Sequence, residues 1–291
     1  MSLNSDSERT FSFELFPPKT TEGMEKLEGN VRKLNSVSPE YFSVTYGAGG
    51  STRDRTFETV ALLRARGIDT APHLSCIGST RTEIRDILRH YRERGIQRIV
   101  ALRGDLPSGM GAGAAGEFRY ANELVAFIRE ESGDHFRIEV AAYPEFHPQA
   151  PSAEKDLQNF KRKVDAGANA AITQYFYNAD AYFAFLDSCG ALGIDIPVVP
   201  GVMPITNFTQ LARFSDACGA EIPRWVRRRL EGFGDDIESI RAFGHEVVLN
   251  MCRRLLEGGA PGIHFYTMNQ AGPSLRLWRE LGLPGSQEIR A

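Results

Sequence analysis

The segment FSFELFPPKT, residues 11–20, places a carboxylate, Glu14, among three phenylalanines in a run that reads as a buried strand. A lone charge in such surroundings is costly, so Glu14 requires a partner or a task. Strand alternation puts Phe11, Phe13 and Leu15 on one face and Ser12, Glu14 and Phe16 on the other. Pro17 and Pro18 end the segment, since proline cannot donate to a sheet ladder, which leaves Glu14 near the strand's C-terminal end. Two readings fit: an ion pair with an interior Arg or Lys, or a general acid whose burial favours the uncharged carboxyl.

Other polar residues gather at comparable positions. RIVALRGDLP, residues 98–107, carries Ile99, Ala101, Arg103 and Asp105 on one parity, and Gly104 permits a ligand to approach the backbone closely. A turn-closing Arg103–Asp105 pair is the alternative there. Between residues 147 and 167, Asp156, Asn159, Arg162 and Lys163 share a helix face, either solvated or directed at the sugar hydroxyls and pyrophosphate of a ligand. Gln174 ends AITQ with an amide that donates and accepts, as recognition of a heterocycle edge requires. GAGGST, residues 47–52, is an anion cradle or an ordinary turn with Ser51 or Thr52 as N-cap. GAGAAG, residues 111–116, matches the dinucleotide fingerprint literally and precedes a helix expected from about Glu117. The fingerprint must follow a strand directly, whereas LPSGM intervenes here, so a surface loop is expected. The basic cluster Arg224, Arg227, Arg228 and Arg229 reads as a solvated helix face.

The elements that position these residues alternate. Eight short β-branched or aromatic runs recur, at 11–16, 42–46, 71–76, 98–104, 138–143, 170–176, 196–203 and 262–268. Helical periodicity separates them, as in RTEIRDILRHYRERG, where Ile84, Ile87, Leu88 and Tyr91 form a stripe and Gly95 a stop. Strands joined by helices imply parallel pairing. Glu14, Tyr46, His73, Arg103, Tyr143, Gln174 and Tyr266 all end strands, which favours a (β/α)8 TIM barrel over a doubly wound open sheet. Residues 204–261 hold extra helices before the last strand, and a final helix is expected from Pro273 or Ser274 to about Leu281. One domain over 1–291 is expected, with flexible ends at 1–9 and 285–291.

Composition narrows the function classes. A net charge of −3 and a pI near 6.1 leave no basic footprint for nucleic acid. MSLNSDSER lacks an apolar stretch and no run is long enough to span a bilayer, so a cytoplasmic protein is expected. Four cysteines without CxxC spacing and six histidines without HExxH spacing give no metal-ligand pattern.

FSFELFPPKT, VTYGAGG, HLSC, ALRGDLP, AAYPEFHPQA, LQNFKRKVDAGAN, AITQYF and IHFYTMN, in this order, resemble the methylenetetrahydrofolate reductases over nearly the whole chain. The resemblance implies a barrel holding FAD at the C-terminal ends of its strands, in a catalytic unit that commonly forms homo-oligomers. It also implies ping-pong reduction of 5,10-methylenetetrahydrofolate to 5-methyltetrahydrofolate by NADH or NADPH. By motif, Glu14 is then the acid that protonates folate N10, and Asp105 lies near the flavin N1 edge and the pterin. Gln174 binds the pterin, and Gln210 and Phe214 contact the folate. Thr45, His73, Arg103, Gly104, Asp105, Tyr120, Ala121, Ala141, Tyr143, His147, Asp156, Asn159, Arg162 and Lys163 are the implied FAD contacts. The rival is a flavin-free folate-binding barrel that acts as a methyltransferase.

The chain departs from the family pattern after FYTMN, where Gln270 replaces an arginine that relatives commonly offer to folate. Affinity measured across glutamate-tail lengths is expected to depend weakly on tail length, or to depend on it through another basic residue nearby. A strong dependence that survives removal of each neighbouring base would refute this expectation.

Overall fold

A computed structural model describes residues 9–46, 53–104 and 116–288. Asp105, GAGGST, all of GAGAAG except Gly116, and the outermost residues of both ends lie outside the described residues. The strands are β1 (Thr10–Leu15), β2 (Tyr41–Val44), β3 (Thr70–Ser75), β4 (Arg98–Leu102), β5 (Arg137–Ala142), β6 (Ala170–Thr173), β7 (Val198–Val199), β8 (Gly201–Val202) and β9 (Gly262–Tyr266). All pair in parallel in the order β7-β6-β5-β4-β3-β2-β1-β9-β8. The two ends of this sheet are consecutive in the chain, so the ring closes on itself at Pro200 as the expected barrel.

The expected seventh strand is therefore two pieces. Pro200 has no N–H to donate, and the ladder changes partner there: β7 pairs with β6 and β8 with β9. Its carbonyl still accepts from His264 N–H at 3.0 Å. Across the seam Gly201 N–H donates to Thr173 Oγ1 at 2.9 Å, and a Cβ on Gly201 would stand 2.2 Å from the Thr173 carbonyl oxygen.

The helices are α1 (Thr21–Asn35), α2 (Arg53–Arg64), α3 (Arg81–Glu93), α4 (Ala121–Ser132), α5 (Ala153–Asp165), α6 (Ala179–Ala191), α7 (Phe208–Cys218), α8 (Arg224–Gly232), α9 (Ile237–Glu257) and α10 (Ala271–Glu280). The extra helices α7, α8 and α9 precede the last strand, as the sequence implies. Helix α3 opens with a capping box, Thr80 with Glu83, and buries the expected stripe. Two starts differ from expectation. Glu117 does not begin a helix: its N–H donates to Ser79 O and its carboxylate accepts from Arg81 N–H, so it fastens the start of α3. Helix α10 begins at Ala271, because Pro273 falls in the first turn, where its missing N–H has no intrahelical acceptor to lose.

The apolar parity of each strand faces the helices. Phe13 packs its ring 5.2 Å from Trp278 of α10 and 5.7 Å from both Phe42 and Phe265. Barrel interiors are ordinarily layered with Val, Ile and Leu. Here a small inner apolar group of Tyr41, Ala71, Val100 and Ile172 shares the space with buried Ser12, Ser43, His73, Glu139 and His264. Phe13→Ala is expected to cost about 3–5 kcal/mol, read as a lower urea midpoint at unchanged slope.

Candidate active site

Even-numbered residues of β1 point into the ring, which brings Glu14 inward one residue before the strand ends. Its Oε2 lies 3.5 Å from His73 Nε2 on β3 and 4.0 Å from His264 Nε2 on β9. Its side chain is 21% exposed, so the carboxylate is reachable at the mouth of the barrel. The interior arginine that could have neutralised it is engaged elsewhere: Arg98 donates to Glu139 at 2.6 Å and to Glu40. Among the described residues, Glu14 thus faces two imidazoles and forms no salt bridge with an Arg or Lys.

The backbone around it is latched. Thr267 Oγ1 donates to the Glu14 carbonyl at 2.6 Å, and the Asn269 side chain accepts from Phe16 N–H and donates to Phe16 O. Met268 and Asn269 adopt left-handed backbone angles, φ 51° and 55°, to make this turn. Tyr266 donates to Thr173 O at 2.7 Å; burial, then the nearby Glu14 charge, push its phenol well above the ordinary range. Burial pulls the His73 imidazole below its usual value, against the opposing pull of Glu14. His73 Nε2 is buried without a hydrogen-bond partner.

A second group lies beside the mouth at β5 and α5. Lys163 reaches from α5 to donate to Ala141 O. Desolvation lowers its ammonium to about 8, opposed by Asp156. Asp156 accepts from His147 N–H at 2.9 Å, the His147 ring meets Tyr143 edge-on at 4.7 Å, and Arg162 donates to Asn159. At the end of β4, Arg103 donates to Gln149 at 2.6 Å. Gly104 has φ +82° and would place a Cβ 1.8 Å from Ser75 Oγ, so only glycine fits. Thr45 is held by Leu15 O and Thr56 Oγ1. Tyr120 is the exposed cap before Ala121 at the start of α4.

Gln174 directly follows β6, its Oε1 accepting from Tyr175 N–H, and it lines a small crevice with Tyr143 and Cys218 at the end of α7. Asn207 caps α7 through Gln210 N–H, and the Arg213 guanidinium sits 5.4 Å from the Phe214 ring. Gln270 lines a cavity of about 300 Å³ with Arg241, His245 and Arg276. Sequence reasoning did not single out Ser12, Tyr41, Ser43, Arg98, Glu139 or His264. Their signal was the alternation that located Glu14, applied to strands that end in less conspicuous residues.

A sequence profile of methylenetetrahydrofolate reductase matches residues 2–282. Enzymes named 5,10-methylenetetrahydrofolate reductase from Salmonella typhimurium and Escherichia coli are each 44% identical over 276 residues, covering 94% of this chain and 91% of theirs. This chain belongs to the methylenetetrahydrofolate reductase family. Arabidopsis thaliana methylenetetrahydrofolate reductase (NADH) 1 is 37% identical over 99% of this chain, which spans 51% of that longer protein. Among solved structures, an uncharacterized protein from Clostridium thermocellum that binds two copies of 5-methyl-5,6,7,8-tetrahydrofolic acid superposes with a TM-score of 0.67 at 16% identity. It covers 96% of this chain and 95% of its own, and supports the fold alone.

Within this reductase-family barrel burial makes the Lys163 ammonium costly, and the nearby Asp156 offsets that cost only in part. A lysine held at about 8 when folded, against 10.5 ordinarily, binds fewer protons folded than unfolded between those values. Stability of the ligand-free protein is therefore expected to rise from about pH 8 toward 10.5, and Lys163→Met to remove that rise. Urea titrations of both proteins across this window check the difference; parallel curves would contradict it.

Proposed function

We propose that the protein reduces 5,10-methylenetetrahydrofolate to 5-methyltetrahydrofolate, with NADH or NADPH as donor and FAD as resident cofactor. The observation that carries this reading is Glu14, an inward carboxylate at the mouth of a reductase-family barrel, facing two imidazoles. FAD, when bound, supplies the hydride transfer that links the two substrates. The residues present fit such a group: His73 Nε2 is buried without a hydrogen-bond partner and Lys163 is a desolvated cation.

In this reading Lys163 and Arg162 face the pyrophosphate, and Asp156 and Asn159 the sugar hydroxyls. Arg103, Gly104, Thr45, His73, Tyr120, Ala121, Ala141, Tyr143 and His147 complete the cofactor cradle, with Asp105 near the isoalloxazine and pterin edges. Gln174 holds the pterin, while Gln210 and Phe214 hold the aminobenzoyl portion and Gln270 borders the tail. Glu14 gives its proton to N10 of the folate; the N10–methylene bond breaks, and the remaining cationic carbon is ready for hydride. The Glu14 carboxylate formed then sits beside that positive charge and stabilises it. The protein works as a cytoplasmic homo-oligomer in this proposal.

An anaerobic spectrum tests donor, cofactor and acceptor together. Flavin absorption is expected to bleach with a nicotinamide nucleotide and return on adding methylenetetrahydrofolate. A colourless protein that binds folate would replace this reading with methyl transfer. Glu14→Gln is expected to keep nucleotide oxidation and lose folate reduction by about 10²- to 10⁴-fold. Retained folate reduction would remove Glu14 from its role.

A further inference from the structure

The reaction at the barrel mouth makes no use of helix α8 or of the groove beside it. Helix α8 reads RWVRRRLEG, four arginines in nine residues of a chain whose net charge is −3. Arg229 lies 5.1 Å over the Phe233 ring, and among the described residues none of Arg224, Arg227, Arg228 and Arg229 has an ionic partner. Trp225, set among these arginines, is 60% exposed, more than any other large apolar side chain described, although Val226 and Leu230 of the same helix are fully buried.

The groove is a cavity of about 500 Å³ between α6, α8 and α9. Val247 and Met251 of α9 line it as buried residues, Trp225 meets Phe243 edge-on at 6.0 Å, and the exposed Glu221 and Glu246 border it. At the C-terminal end of the α9 stripe Arg254 and Asp180 neutralise each other at 2.6 Å, whereas Glu221 and Glu246 have no ionic partner among the described residues. The stripe from Phe243 to Arg254 runs for about 16 Å, and α8 is about 14 Å long.

A surface that carries a knob, a hole and unneutralised charges of both signs side by side is complementary to itself, which is what a two-fold contact between identical chains requires. Tryptophan and arginine are the residues most enriched at the centres of such contacts, whereas exposed ion pairs by themselves contribute little. Nucleic acid is a poorer complement, because the carboxylates next to α8 would face its phosphates. We propose that α8 and this groove form a two-fold interface between copies of the chain, an inference that rests on the homo-oligomer reading above. Trp225 of each copy seats in the groove of the other, and the α8 arginines lie against the other copy's Glu221 and Glu246. The apolar contact supplies the affinity, while the charges fix the register and exclude wrong pairings.

Sedimentation velocity of the full chain over a range of protein concentrations tests the interface. Trp225→Ala is expected to weaken self-association by about 30-fold or more. Arg224→Glu with Arg228→Glu, and separately Glu221→Arg with Glu246→Arg, are each expected to give a smaller assembly than wild type, because the facing groups then carry the same sign. An equimolar mixture of the two charge-reversed proteins is expected to recover the wild-type assembly, since the mixed pair has opposite charges on both sides of the two-fold axis. Misfolded variants would not recover on mixing. Wild-type assembly retained in all three variants, or charge-reversed proteins that stay apart when mixed, would overturn this interface and leave the oligomer reading standing. Wild-type protein that is monomeric at every concentration would overturn the oligomer reading and the interface with it.

Discussion

A carboxylate facing two imidazoles across the inside of a closed ring is the contact around which the chain is organised. It draws on β1 for Glu14, β3 for His73 and β9 for His264, so it exists only when strands from both ends of the chain and from between them share one barrel. The latch from Thr267 and Asn269 to the end of β1 serves the same contact, since it fixes the backbone from which Glu14 projects.

Parity does the sorting. Along each strand one set of residues goes to the helices and carries most of the apolar burial, with Phe13, Phe42, Phe265 and Trp278 as its densest part. The other set goes inward and is free to carry polar groups, because stability has largely been secured outside the ring. Those inward groups bond mainly to one another: Ser12 with His264, Tyr41 and Arg98 with Glu139. Among the described inward groups, His73 Nε2 lacks a hydrogen-bond partner, and it stands near the mouth.

Much of this was legible in the sequence. Alternating strand and helix patterns gave the barrel, and Pro17 and Pro18 located Glu14 at a strand end. What escaped was set by tertiary geometry. The break at Pro200 follows from the ring changing partners at its seam, which no local pattern encodes. Tyr41 lay one residue before the expected strand, and its role comes from Glu139, 98 residues away. One of the two readings of Glu14 was an ion pair with an arginine or lysine; Arg98 is instead committed to Glu139, 41 residues away, a pairing set by the fold and not by composition. The start of α10 was misplaced because Pro273 reads as a helix boundary, although proline is tolerated throughout a first turn.

The link between Ser12 and His264 spans 252 positions of sequence. A chain emerging from the ribosome therefore carries Glu14 long before it makes the strand that completes the surroundings of that carboxylate. Until β9 arrives, β1 lacks one of its two neighbours and its polar face stays wet, so the interior of the ring is completed late in synthesis. Such long-range closure implies slow folding, and a chain shortened before β9 has no closed ring.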